Sequence, residues 1–117
     1  MEDSGFRLAN APCSWGTIES MEGEQVPYGR MLDELSESGY RGTELGDWGY
    51  MPTDPERLRE ELEKRGLTLT GSWVTVRLYD DSRRAADMKR ALAIARLLRA
   101  VGGEQCTVNL GDDRAGT

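Results

Sequence analysis

Three stretches with helical spacing each stop at glycine and lead directly into a β-forming run, and this alternation restricts the available folds more than any other feature. From Tyr28 onward, Tyr28, Met31, Leu32 and Leu35 fall at i, i+3, i+4 and i+7, one face of a helix, while Arg30, Asp33, Glu34 and Glu37 take the other. Gly39 ends that pattern, because glycine adopts the positive φ that closes a helix without a Cβ penalty. Thr53-Asp54-Pro55-Glu56 predicts a second helix start, either as a capping box of Thr53 with Glu56 or as an Asp54 cap with Pro55 in the first helical position. Leu58 and Leu62 mark its buried stripe, Glu60 with Lys64 and Glu61 with Arg65 are spaced for surface pairs, and Gly66 stops it. A long third helix is expected from about Arg83 to Ala100, with Ala91, Ile94, Ala95, Leu98 and Val101 on its apolar face and Gly102-Gly103 closing it. Its basic residues, Arg83, Arg84, Lys89, Arg90, Arg96 and Arg99, read as a solvated face.

The intervening runs have strand character. Arg7 to Cys13 is a short candidate broken by Pro12, after which Ser14-Trp15-Gly16 turns away. Tyr40 to Leu45 is the second. Leu67 to Val76 is β-branched and apolar, with Gly71 inside it predicting a bulge or a close backbone approach. Gln105 to Leu110 is the fourth, running into Gly111-Asp112-Asp113. The order β-α-β-α-β-α-β implies an α/β fold with parallel strands and right-handed crossovers, so every strand C-terminus lies on one face. Trp15, Glu44, the loop from Asp47 to Met51, Arg77 and Asp112 fall on that face. Residues 1–117 read as a single domain, since this length suffices for one core and not for two.

Composition removes several classes of function. Net charge is −6, spread over mixed-sign segments, which argues against a phosphate-backbone partner, so no nucleic acid is expected. No apolar run approaches the roughly 20 residues of a membrane span, and the N-terminus lacks a basic start followed by an apolar block; no membrane partner and a cytoplasmic location are expected. Cys13 and Cys106 have neither metal-type nor CxxC spacing and read as small buried thiols. The chain contains no histidine, which excludes a histidine base, a Ser-His triad and a His-ligated zinc within it. The acidic residues Glu19, Glu22 and Glu24 suggest an exposed loop.

The stretch Gly39 to Trp48, reading GYRGTELGDW, carries the chief candidate for chemistry. Glu44 stands at the end of the second strand, where a barrel enzyme would carry a carboxylate; the plain reading is a structural carboxylate satisfied by loop N–H groups. Trp15 and Trp73 read by residue type as packing residues. Trp48 and Tyr50 offer a cover for the strand ends. Asp112 and Asp113 read as a solvated tail.

Several motifs together resemble a known family. Asn10-Ala11-Pro12 with Ser14-Trp15-Gly16, the run Gly39-Tyr40-Arg41-Gly42-Thr43-Glu44-Leu45-Gly46, then Met51-Pro52-Thr53-Asp54-Pro55 and Arg65-Gly66-Leu67 are similar to the opening of the sugar isomerase/epimerase family with a xylose-isomerase-like TIM barrel, in particular its inosose dehydratase-like branch. Such barrels have eight strand-helix units in about 250 residues. The resemblance therefore implies the N-terminal half of a TIM (β/α)8 barrel, comprising three units and a fourth strand. It also implies a divalent metal (Mn, Co or Mg) bound by ligands on later strands, none of which maps onto this chain, and proton abstraction next to a carbonyl leading to isomerisation, epimerisation or dehydration. The expected partner is a small sugar or cyclitol; by the same resemblance Glu44 would hydrogen-bond its hydroxyls and Trp15 and Trp73 would wall off the apolar face of its ring. The chain alone is expected to be inactive, with no catalytic or metal-ligating residue assigned to it. The alternative is a non-catalytic half-barrel that binds a small polyol or self-associates as a homo-oligomer through its open sheet edges. A related group of DNA-repair endonucleases has a similar barrel, but needs several histidines and a basic groove that this sequence lacks.

Overall fold

The computed structural model describes residues 5–16 and 25–112. The acidic loop residues Glu19, Glu22 and Glu24, and Asp113, lie outside the described residues. Four strands, β1 (Ala9–Asn10), β2 (Gly42–Glu44), β3 (Thr68–Val76) and β4 (Thr107–Asp112), form one sheet in the order β1-β2-β3-β4, with every neighbouring pair parallel. Helices α1 (Tyr28–Glu37), α2 (Pro55–Glu63) and α3 (Arg84–Gly102) make the crossovers. Each crossover advances one strand in the same direction, and equal handedness then places all helices on one side of the sheet. This is the arrangement of half of a TIM (β/α)8 barrel: helices outside, and an inner face turned toward what is the barrel axis in a closed ring.

Local chemistry accounts for the helix ends. Gly39 and Gly66 have φ of +94° and +69°. The following N–H groups of Tyr40 and Leu67 reach back to the carbonyls of Leu35 and Leu62 at 3.3 and 3.0 Å, closing both helices in the Schellman manner. At the start of α2 the Asp54 carboxylate accepts from the Arg57 N–H at 3.0 Å with Pro55 in the first turn, so Asp54 rather than Thr53 is the cap.

Met31, Leu32 and Leu35 of α1, Leu58 and Leu62 of α2, and Ile94, Leu97 and Leu98 of α3 are buried in one contiguous cluster with Leu69, Val74 and Val76 of β3. Leu97 replaces Ala95 in the expected stripe, because residues 94, 97 and 98 share the i, i+3, i+4 face that meets the sheet. Arg65 ties the first two helices together: its Nε donates to Asp33 at 2.6 Å, its NH1 to Glu61 at 2.8 Å, and its carbonyl accepts from the Ser36 hydroxyl at 2.8 Å. Lys64 pairs with Glu61 at 3.0 Å instead of Glu60, so the Arg65 and Lys64 charges share one carboxylate and hold it below the usual carboxylate range.

The first strand is shorter than expected. Only Ala9–Asn10 pair, and Pro12–Trp15 form a 3₁₀ turn. Cys13 is exposed there, contrary to the expectation of a buried thiol, since it is Pro12 of this turn that packs inward. Cys106 is half-buried with its sulfur 3.1 Å from the Leu69 carbonyl, and burial pushes its thiol pKa up. Among the described residues no helix is long and apolar enough to cross a membrane.

Gly71 has both features expected of it. Thr43 pairs with Leu69 but Glu44 pairs with Gly71, which leaves Thr70 as an extra residue, a bulge. A Cβ on Gly71 would also lie 2.4 Å from the Thr107 carbonyl oxygen of β4. The bulge changes which side chains face the helices. Without it Leu69 and Val74, five residues apart, would point to opposite faces; with it both are buried against the helices, and Trp73 and Thr75 turn to the exposed inner face.

Candidate functional site

Because the sheet is parallel, the C-terminal ends of all four strands lie along one rim, the side where barrel folds place their chemistry. The strands end unequally there. Pairing of β2 with β3 stops at Glu44 and Gly71, with one further bond from the Leu45 N–H to the Gly71 carbonyl at 2.9 Å, whereas β3 continues to Val76 alongside β4. The loop Gly46 to Tyr50 swings away from β3, and a cleft of about 1110 Å³ opens between them. The loop supplies Asp47, Trp48 and Tyr50; the free edge of β3 supplies Trp73 and Thr75, and Arg77 follows directly after it; the turn into α3 and its first two turns supply Arg83, Asp87 and Arg90.

Hydrogen bonds from outside the strand hold this edge. Asp87 accepts from the Arg77 backbone N–H at 2.9 Å and Asp112 from the Leu78 N–H at 3.2 Å. The Arg90 guanidinium donates to the Thr75 carbonyl and pairs with Asp87 at 3.3 Å. Asp112 therefore belongs to the rim of the fold and is not part of a solvated tail. Arg83 and Arg90, read from the sequence as a solvated surface, line the cleft; what brings them there is their place at the start of α3, next to a strand that outruns its neighbour. The loop is anchored from below, with Met51 buried and the Tyr50 hydroxyl donating to the Val26 carbonyl at 2.6 Å, while Trp48 stays exposed.

The three expected contact residues occupy different places. Trp73 is 62% exposed and lines the cleft. Glu44 is half-buried on the inner face, since its neighbours Thr43 and Leu45 are both buried toward the helices. No hydrogen bond or ion pair reaches its carboxylate among the described residues, so the structural reading, a carboxylate satisfied by loop N–H groups, has no counterpart in the geometry. Trp15 lies elsewhere: it packs against the core and its indole N–H donates to Glu34 of α1 at 2.8 Å. The fold thus places Glu44 and Trp73 on one face and sets Trp15 against α1. Thr75 and Gly111, which complete the surroundings of Trp73, were not singled out by sequence; their signal was the i, i+2 spacing of Trp73 and Thr75 on one strand face. Among the described residues no group of three or more His, Cys, Asp or Glu is arranged to hold a metal ion.

The Trp15 contact has a consequence for acid behaviour. Arg30 first, and then the Trp15 indole N–H, hold the Glu34 carboxyl below its ordinary value of 4.5. A depressed carboxyl contributes stability that is present above its unfolded pKa and lost as pH falls through the folded one. Trp15 fluorescence is therefore expected to change in an acid titration below pH 4.5, and this step is expected to be absent in Glu34→Gln; an unchanged titration in that variant counts against the bond.

No family model matches the chain. It is 31% identical over 99 residues to the inosose dehydratase of Geobacillus kaustophilus, an alignment covering 83% of this chain and 31% of that protein. It is 36% identical over 69 residues to the inosose dehydratase of Salmonella agona, covering 58% of this chain and 22% of the relative. It is 34% identical over 76 residues to the rhizopine catabolism protein MocC of Rhizobium meliloti, covering 64% and 23% respectively. The chain spans less than a third of the length of the curated relatives it matches. Over the aligned stretches it is a homologue of proteins named inosose dehydratase, folded as a parallel α/β half-barrel.

Proposed function

We propose that this chain is the N-terminal part of a sugar- or cyclitol-modifying enzyme of the xylose-isomerase-like family, an inosose dehydratase or a related isomerase or epimerase, acting by proton abstraction next to a carbonyl. The observation that carries the reading is the Glu44 carboxylate, which has no hydrogen-bond or ion-pair partner among the described residues and stands at the rim end of β2, on the face it shares with Trp73. Partial similarity to inosose dehydratases supports a polyhydroxylated ring ketone as substrate. In this reading Glu44 accepts hydrogen bonds from ring hydroxyls, Trp73 covers an apolar ring face, and Trp15 supports the rim by bracing the turn after β1 against α1. The groups that move the proton are assigned to none of these residues. A divalent metal (Mn, Co or Mg) belongs to the family's chemistry, where it stabilises the enediolate. The described residues do not form a site that fits one, so no step of this chain is routed through it.

The test is ligand binding by the 117-residue chain, followed by NMR with a cyclitol at millimolar concentration. Wild type is expected to bind, and Glu44→Gln to weaken binding about tenfold, as for loss of a hydrogen bond to a charged group. Equal affinity in the two proteins overturns the role of Glu44. Turnover by the chain alone with Mn²⁺ or Co²⁺ is expected to be nil, and robust activity overturns its reading as part of a longer enzyme.

A second reading rests on the sheet edges. Phe6 and Leu8 beside β1 are 82% and 66% exposed, and Leu110 on β4 is 61% exposed, so apolar surface flanks both unpaired edges. A non-catalytic half-barrel that self-associates through these edges is expected to sediment as a dimer or larger at micromolar concentration; a folded monomer there rejects it.

A further inference from the structure

The placement of Trp73 depends on a residue with no side chain. A Cβ built on Gly111 would lie 1.8 Å from Cζ2 of the Trp73 indole and 2.4 Å from Cε2, so the ring occupies the space that any other residue at 111 would fill. Gly111 is paired with Thr75 across the β3–β4 ladder, and the Thr75 hydroxyl accepts from the Trp73 indole N–H at 3.2 Å. The indole therefore leans along β3 from residue 73 toward 75 and lies over β4 at position 111. The Cζ2 side of the indole meets β4 at Gly111, yet the residue as a whole remains 62% exposed, so the rest of the ring is presented at the cleft. Each contact has a separate role. The glycine admits the ring, the hydroxyl sets its tilt and satisfies its single donor, and the bulge before Trp73 sends the side chain to this face.

The geometry points to Gly111 and Thr75 as positioning residues that hold the Trp73 indole flat on the inner face as a platform for the apolar C–H face of a cyclic polyol. This inference rests on the proposed reading of Glu44 and Trp73 as polyol contacts and deepens it by making the site selective for rings over open chains. A rigid flat surface matches the flat face of a six-membered ring, whereas an extended polyol must lose rotamer freedom to lie against it.

The test uses the whole 117-residue chain labelled with 5-fluorotryptophan, whose three tryptophans give three fluorine resonances assigned by single Trp→Phe replacements. myo-Inositol is the ring probe and sorbitol the open-chain probe. In wild type, inositol is expected to move the Trp73 resonance and sorbitol to move it at no more than about a third of the affinity. Gly111→Ala is expected to shift the Trp73 resonance in the ligand-free protein and to weaken inositol binding about tenfold. The Trp15 resonance, whose partner is Glu34, reports that the variant is folded by staying in place. If Gly111→Ala does not fold, Thr75→Val is the second probe: it is expected to shift the Trp73 resonance and reduce the ring preference, with Thr75→Ser restoring both. A Trp73 resonance unmoved by Gly111→Ala or Thr75→Val overturns the placement. Equal response to inositol and sorbitol overturns the platform while leaving the Glu44 and Trp73 face as a polyol site. Absence of binding of either probe to wild type overturns the polyol-site reading itself, and the platform with it.

Discussion

Alanine at Gly71 is expected to cost the fold about 1–3 kcal/mol, the range for forcing an added carbon into a packed interior. The reason is the nature of the obstacle. The new Cβ would lie 2.4 Å from the Thr107 carbonyl oxygen and 3.3 Å from the Thr107 C and N atoms, all backbone of the paired strand, so no side-chain rotation relieves the overlap and β3 must move away from β4. The displacement falls in the bulge that carries the sheet from the face set by Leu69 to the face set by Val74, so it also disturbs the direction of Trp73. Urea unfolding should show a lower midpoint with an unchanged slope, together with a shift of Trp73 emission in the folded baseline. Stability within about 0.5 kcal/mol of wild type, the ordinary scatter for surface changes, would show that the strands are not in close contact at this position.

Leu35→Ala should be at least as damaging, by about 2–5 kcal/mol, because Leu35 is fully buried between α1 and the rest of the core and its removal leaves a cavity that the surrounding side chains fill only in part. Its carbonyl accepts from the Tyr40 N–H at 3.3 Å, a backbone bond that survives the substitution, so the loss reports packing and not the helix stop. The matched control is Leu92→Ala on α3, where the leucine is 44% exposed; it is expected to stay within about 0.5 kcal/mol of wild type. Comparable losses at the two sites would mean that the core does not lie where the buried cluster places it.

Much of the fold was legible in the sequence because the signals that set it are short-range. The i, i+3, i+4 spacing of Met31, Leu32 and Leu35, the Asp54-Pro55 start and the stops at Gly39 and Gly66 all act within about one helical turn of themselves. The order β-α-β-α-β-α-β follows, and the parallel sheet follows from that order. Strand limits were less legible. β1 contracts to Ala9–Asn10 and β2 to Gly42–Glu44, while β4 runs on to Asp112, because a strand ends where its neighbour ceases to pair with it.

The site shows the same division. By itself the sequence determined that a carboxylate, Glu44, stands at the end of a buried strand and that Gly71 interrupts the next one, since both depend on residue type and local pattern. Only the tertiary structure decided that the Glu44 carboxylate has no partner among the described residues and that the Trp15 indole is bonded to Glu34 nineteen residues away. It also decided that Trp73 lies over Gly111 and that Arg83 and Arg90 reach the cleft beside the free edge of β3. These outcomes depend on the register between strands and on where one strand outruns another, which are properties of pairs of segments distant in the chain and are set by packing of the whole sheet against its helices.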